Sequence, residues 1–191
     1  MKPIFDRGYI IPAINSNGVD YVSCARALAK SIRYWQPTSK VCLLSNDDIT
    51  DDEKNIFDHI SKFPFPLDEN PLANDWQVFY ASPFRQTIKI EADFALSGSI
   101  EHWWQCLQRR DVLVPVGCKN FYGETSQERF YRRVFDENNF PDVYNAMVYW
   151  RYCKEAKVFF DMVKFVFENW SLITQAFKGF NLNKAADTDT V

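Results

Sequence analysis

Thr87-Ile88-Lys89-Ile90-Glu91-Ala92-Asp93-Phe94-Ala95-Leu96 reads as a buried strand that ends on two carboxylates. Thr87, Ile88 and Ile90 are β-branched and suit the interior of a sheet. Residues i and i+2 of an extended chain project to the same side, so Glu91 and Asp93 share one side of the strand's carboxyl end. In an open α/β sheet that is the end where ligands bind. Two carboxylates at this spacing suit one hard divalent cation, Mn2+ or Mg2+, which reaches substrate phosphates through one or two carboxylate ligands. The plainer alternative is a turn with two solvated acids. Lys89 falls on the same side as Glu91, either in a salt bridge with it or in a catalytic role. Arg85, just upstream, carries a planar guanidinium that can make bidentate contacts to phosphate.

Working outward, two more apolar runs read as strands, Tyr9-Ile10-Ile11-Pro12-Ala13-Ile14 and Val41-Cys42-Leu43-Leu44. Between them Tyr21, Ala25, Leu28, Ile32 and Trp35 recur at helical spacing until Pro37, giving a parallel strand–helix–strand unit. Ser45-Asn46-Asp47-Asp48 is a turn leading into a polar helix to about His59, with Ile56 and Ile60 inward. Residues 61–75, with Pro64, Pro66 and Pro71, read as an extended loop. Ser82-Pro83 has the pattern of a helix start and predicts a short helical turn. Downstream come a helix from about Ser99, a strand Val112–Val116, a glycine-containing loop and a helix over 126–136. Phe140-Pro141-Asp142 then turns into a strand near Ala146–Trp150. The apolar stripe Ala156, Phe159, Phe160, Val163, Val166, Phe167 and Trp170 marks the longest helix. The alternation predicts an α/β fold, a mostly parallel, Rossmann-like sheet flanked by helices on both faces. It forms a single domain over 1–180, followed by a polar tail over 181–191.

Composition narrows the function. Among 191 residues there are 22 basic and 25 acidic side chains, a net charge of -3, which excludes a generally basic nucleic-acid coat. Aromatic residues make up 17%, whereas glycine occurs only six times, so neither a dinucleotide fingerprint nor a P-loop is present. A bound nucleotide must be held in another way. The five cysteines form no C-x-x-C pair and sit mostly in apolar runs, as buried reduced thiols of a cytoplasmic protein do. No signal peptide is visible, and no run approaches the ~18 apolar residues of a membrane span.

In this context the acidic strand resembles that of the GT-A glycosyltransferases, the nucleotide-diphospho-sugar transferases, and is most similar to their family 8 group. Three segments carry the resemblance in order. Tyr9 to Asn15 with Asp20-Tyr21, Ala25, Leu28, Ser31-Ile32 and Pro37 resembles the family's first strand and helix. Lys89-Ile90-Glu91-Ala92-Asp93-Phe94 with Ile100 and Trp103 resembles its D-x-D strand and following helix. Tyr144-Asn145-Ala146-Met147-Val148-Tyr149 resembles its N-[AS]-G strand, with Met147 where glycine is commoner. Ser82-Pro83-Phe84 and Pro141 to Ala146 are also similar to uncharacterised transferase-like proteins of tailed phages, whose place would be the host cytoplasm.

The resemblance implies a metal-assisted transfer of sugar from a nucleotide-diphosphate donor, with UDP-sugars favoured, to a hydroxyl acceptor. A modified nucleic-acid base is one acceptor class. It implies Ala13, Asn15, Asp20 and Tyr21 at the nucleoside, Arg85 at the diphosphate or sugar, and Asp93 with Glu91 at the cation. Asp142, Asn145 and Lys89 would face the reacting groups. Two departures stand out: Glu91 occupies the position usually held by Asp, and the family's late histidine ligand has no counterpart. His59 and His102 are the chain's only histidines, and both read as surface or packing residues. These departures keep open a non-catalytic nucleotide- or sugar-binding module. A sugar-1-phosphate nucleotidyltransferase of the same fold, which would also use a metal carboxylate pair, is the other alternative, although the glycine- and arginine-rich first loop usual there is absent. The Trp103-Trp104 pair reads as core before sugar platform, and Arg129 to Arg133 as a solvated helix face before a phosphate contact. Asp187-Thr188-Asp189-Thr190-Val191 matches a phosphatase motif only by coincidence, since no buried strand precedes it.

Overall fold

The computed structural model describes residues 3–119, 122–124 and 133–177. Its centre is a six-stranded sheet: β1 (Phe5–Pro12), β2 (Val41–Leu44), β3 (His59–Ser61), β4 (Phe84–Ile90), β5 (Val112–Leu113) and β6 (Met147–Arg151). The strand order is β3-β2-β1-β4-β6-β5. β1 pairs in parallel with β2 and β4, and β2 with β3, while β6 runs antiparallel to both β4 and β5. The chain thus builds outward from β1 through β2 to β3, then returns to place β4 on the other side. That reversal opens a crevice between the carboxyl ends of β1 and β4.

Alternation along the strands divides the core in two. Tyr9, Ile11, Leu43, Ile88, Ile90 and Tyr149 face one side. There they meet Ala25, Leu28 and Ile32 of α1 (Tyr21–Trp35), and Trp104 and Leu107 of α4 (Trp103–Leu107). Ile10, Cys42, Leu44, Phe84, Val148 and Trp150 face the other side. They meet Phe79 of α3 (Val78–Ala81) and Ala156 and Phe160 of α6 (Lys154–Glu168). Each fully buried Leu or Ile contributes about 2 kcal/mol, so the α1 stripe alone is a substantial anchor. Gly8 lets the central strands close up: a Cβ there would lie 2.4 Å from the Phe84 ring and 2.7 Å from the Lys40 carbonyl oxygen.

Several boundaries differ from the sequence expectations. The polar helix is only α2 (Asp51–Lys54), and the chain beyond it becomes β3. Asp58 explains this: its carboxylate accepts from the Val41 backbone, Arg33 and Lys40, pinning the chain beside β2. Ser82-Pro83 does not start a helix. Ser82 instead closes α3, and its hydroxyl accepts from the Phe84 backbone and shares a 2.7 Å hydrogen bond with Thr87, so β4 begins at Phe84. The loop over 61–75 gives way to a 3-10 helix, Pro71–Gln77, capped by Asn70. The strand over 112–116 is confined to β5, with Val116 bridging Val143. The helix expected over 126–136 is described only as α5 (Arg133–Asn138). The long apolar helix breaks at Asn169 into α6 and α7 (Trp170–Ala176). The Arg129–Arg132 cluster and the Asp187–Val191 motif lie outside the described residues. No described helix is long and apolar enough to cross a membrane.

Candidate active site

At the crevice between β1 and β4 lies a cleft of about 300 Å3. Pro12 and Ile14 follow β1, Tyr21 opens α1, and Glu91, Ala92 and Asp93 follow β4. Asn70, Leu72 and Asp75 of the 3-10 region close the far wall. Ser16 and Asn17 enter through a two-residue Asn17-Gly18 turn, in which both central residues have positive φ (52 and 77°) and Ser16 pairs with Val19. That geometry is a tight hairpin turn for which Asn-Gly is the favoured pair.

The strand leading to the cleft ends in a buried ionic cluster. Lys89 is 1% exposed, and its ammonium donates to Asp75 Oδ2 at 2.6 Å and to the Asn145 carbonyl at 2.9 Å. Glu91 Oε1 stands further off, at 3.5 Å. The Asn145 side-chain amide donates to the same Asp75 Oδ2, also at 2.6 Å. Burial disfavours the charged ammonium, but Asp75 and then Glu91 outweigh it and hold the Lys89 pKa above its ordinary value. The Glu91 carboxyl is also raised, first by burial; Lys89 opposes this, while the neighbouring Asp75 and Asp93 charges add to it. Three carboxylates, Asp75, Glu91 and Asp93, thus line the cleft while one ammonium behind it pairs with Asp75 and Glu91, a surplus of negative charge that a divalent cation would relieve.

Glu91 and Asp93 share the cleft, and Asp93 is exposed at its mouth, so this donor set offers the hard oxygen ligands that Mg2+ or Mn2+ requires. Among the described residues, three metal-capable side chains within 4.8 Å of one another occur at Asp111, Cys153 and Glu155. There Arg151 already binds Asp111, and none of the three residues lines the cleft that holds Glu91 and Asp93.

The remaining sequence candidates divide. Tyr21 lines the cleft. Ala13 is 2% exposed, and its backbone extends the β1–β2 ladder through a hydrogen bond to Leu44, so it offers no side chain to a ligand. Asn15 is tied into its own loop: its side chain accepts from the Val22 backbone, and its backbone donates to Asp47. Asp20 is the N-cap of α1, accepting from the Ser23 backbone at 3.0 Å and the Ser23 hydroxyl at 2.6 Å. Those bonds lower its pKa.

Arg85 departs from its expected place. It lies near the start of β4, exposed and 3.9 Å from Asp6, roughly 20 Å along the strand from Glu91 at ~3.3 Å per residue. The misplacement follows from β4 beginning three residues earlier than expected. Asp142 is half-buried in the segment before β6, where its carbonyl accepts from Gly117, and it is not among the residues lining the cleft. Asn145 does approach the cleft, through Asp75. Asp75 itself was missed. The Asn70-Pro71 pair has the cap-then-proline pattern of a helix start, and it could have revealed the turn that delivers Asp75.

No family profile matches the sequence, and no curated protein matches it. Solved structures do match. A galactosyltransferase, LgtC, in complex with donor and acceptor sugar analogues, superposes with a TM-score of 0.57 at 13% identity, over 95% of this chain and 68% of that one. An active-site mutant of LgtC gives 0.54 at 14% identity, over 90% of this chain and 67% of that one. The apo form of WbbM, a bifunctional glycosyltransferase, gives 0.56 at 12% identity, over 87% of this chain but only 35% of that one. With a mixed six-stranded sheet between helical layers, the chain has the GT-A fold of these glycosyltransferases.

Proposed function

We propose that this chain is a family 8-like glycosyltransferase that moves a sugar from a nucleotide-diphosphate donor, a UDP-sugar by preference, to a hydroxyl acceptor. The observation that carries the reading is the placement of Glu91 and Asp93 together in the cleft at the β1–β4 crevice. Asp93 would be the principal ligand of Mn2+ or Mg2+, helped by Glu91. When bound, that cation supplies Lewis-acid stabilisation of the departing diphosphate. Tyr21 offers a ring on which a base can stack, and Ser16 and Asn17 offer hydroxyl and amide groups to the nucleoside. Lys89 acts as a positioning residue: its bonds to Asp75 and to the Asn145 carbonyl join β4, the 3-10 helix and the start of β6 into one rigid wall. The expected burial of the cysteines holds only for Cys42, since Cys24 and Cys153 are half-buried and Cys106 and Cys118 exposed; a reducing, cytoplasmic setting for these thiols remains part of the proposal.

Sugar release from a UDP-sugar, followed with and without Mn2+, tests the assignment. Metal-dependent release that disappears in Asp93→Ala supports an enzyme. UDP binding with no turnover of any UDP-sugar, with or without hydroxyl acceptors, would make the chain a binding module instead.

A further inference from the structure

A second cavity, of about 460 Å3, shares Asp75 with the cleft. Its wall is built almost wholly from apolar side chains, with Phe160, Val163 and Phe167 of α6 facing Val148 of β6 and Phe140 of the preceding segment. Close-packed interiors seldom leave a space of this size, whereas small-molecule sites commonly do. Its polar groups are gathered at one end, where Asp75, Lys89 and Asn145 contribute to the wall. Asp75 is the residue common to both spaces, lining the cavity as well as the cleft that holds Glu91 and Asp93.

We infer that this cavity is the acceptor site and that the acceptor is a hydroxyl compound with a flat, apolar, aryl-type body. The inference deepens the proposed transferase reading and rests on it for the donor. The shape of the site sorts the acceptor's two ends. A ring enters among the phenylalanines, where aromatic faces give favourable edge or offset contacts, and the hydroxyl comes to rest against Asp75. A simple sugar fits this wall poorly, because its ring hydroxyls would be buried against phenylalanine and valine with no hydrogen-bond partners. In the transfer, the acceptor oxygen bonds to the donor sugar's anomeric carbon as the bond from that carbon to the diphosphate oxygen breaks. The electron pair leaves with the diphosphate, and the hydroxyl proton passes to Asp75 Oδ1, the carboxylate oxygen other than the one bound by Lys89 and Asn145, and then to water.

The test uses the full chain and 2-naphthol, whose fluorescence reports binding, with glucose as the apolar-free control. The wild type should bind 2-naphthol and show no response to glucose. Val163→Trp, which fills the cavity, should weaken 2-naphthol at least tenfold while leaving the affinity for UDP with Mn2+ unchanged. Val166→Trp, on the same wall, repeats the measurement should the first variant fail to fold. Absence of 2-naphthol binding, or binding indifferent to the filling variants, overturns the inference even where UDP binding is intact. A self-associating wild type that Val163→Trp renders monomeric also overturns it, assigning the apolar wall to a second copy of the chain. Loss of metal-dependent UDP binding in the wild type, with 2-naphthol still bound in the cavity, would instead sink the donor reading and leave an aryl-binding pocket standing.

Discussion

Asp75 Oδ2 accepts two hydrogen bonds of 2.6 Å, one from the Lys89 ammonium and one from the Asn145 amide. One carboxylate oxygen thereby fixes the 3-10 helix against both β4 and the entry to β6. The same residue forms part of the cleft wall, so the bonds that hold the fold together at this point also set the shape of the candidate active site.

Removing the ammonium tests this relationship. Lys89→Met leaves Asp75 without its closest cation in a largely buried setting, which should cost about 3 kcal/mol of unfolding free energy. The raised Lys89 pKa sets the sign with pH: the pair's contribution is complete below the unfolded lysine value near 10.5 and is lost as pH rises through the higher folded value. Denaturant unfolding at neutral and strongly alkaline pH should therefore show the wild-type advantage shrinking only in the alkaline range.

Glu91 should show the reverse trade between stability and function. Its folded pKa lies above the ordinary 4.5, so folding disfavours its ionised form. The associated stability is complete below the unfolded value and is lost as pH rises through the folded one. Glu91→Gln should therefore melt higher than wild type at neutral pH without added metal, and the difference should close on acidification below pH 4.5. The same variant should bind UDP with Mn2+ more weakly. Equal melting temperatures at neutral pH would contradict the charge crowding described in the cleft.

Gly8 is required by close approach rather than by a special φ. Gly8→Ala places a methyl group against the Phe84 ring and, less forgivingly, against the Lys40 backbone oxygen. Overpacking of this kind should cost about 1–3 kcal/mol, read from the denaturation midpoint.

Arg85 serves as the matched negative. It lies at the amino end of β4 beside Asp6, far from the carboxylates, so Arg85→Ala should leave the affinity for UDP unchanged. A loss of tenfold or more would mean that the diphosphate lies at the other end of the sheet.

Much of this architecture was legible in the residues. β-branched runs marked β1, β2 and β4, helical spacing marked α1, and the Glu91–Asp93 pair pointed to the carboxyl end of β4, which stops at Ile90 so that the pair follows in a turn. What escaped notice was held by tertiary contacts. β3 is three residues long and owes its place to Asp58, whose partners are Arg33 of α1 and the adjoining Lys40 and Val41 at the start of β2. Asn15 and Asp20 carry the residue types of a nucleoside site, but local hydrogen bonds in the chain's own turns engage both of them. Asp75 sat unnoticed in a proline-rich stretch, because nothing local reveals that Lys89 and Asn145, 14 and 70 residues away, converge on it.

Calorimetric titration of UDP into wild type and Asp93→Ala, each with and without Mn2+, tests the central claim most directly. The account predicts that wild type binds UDP appreciably only with the metal present, and that Asp93→Ala loses at least tenfold in affinity, a change of about 1.4 kcal/mol or more. UDP binding that is absent, or that ignores both Mn2+ and the loss of Asp93, would contradict it.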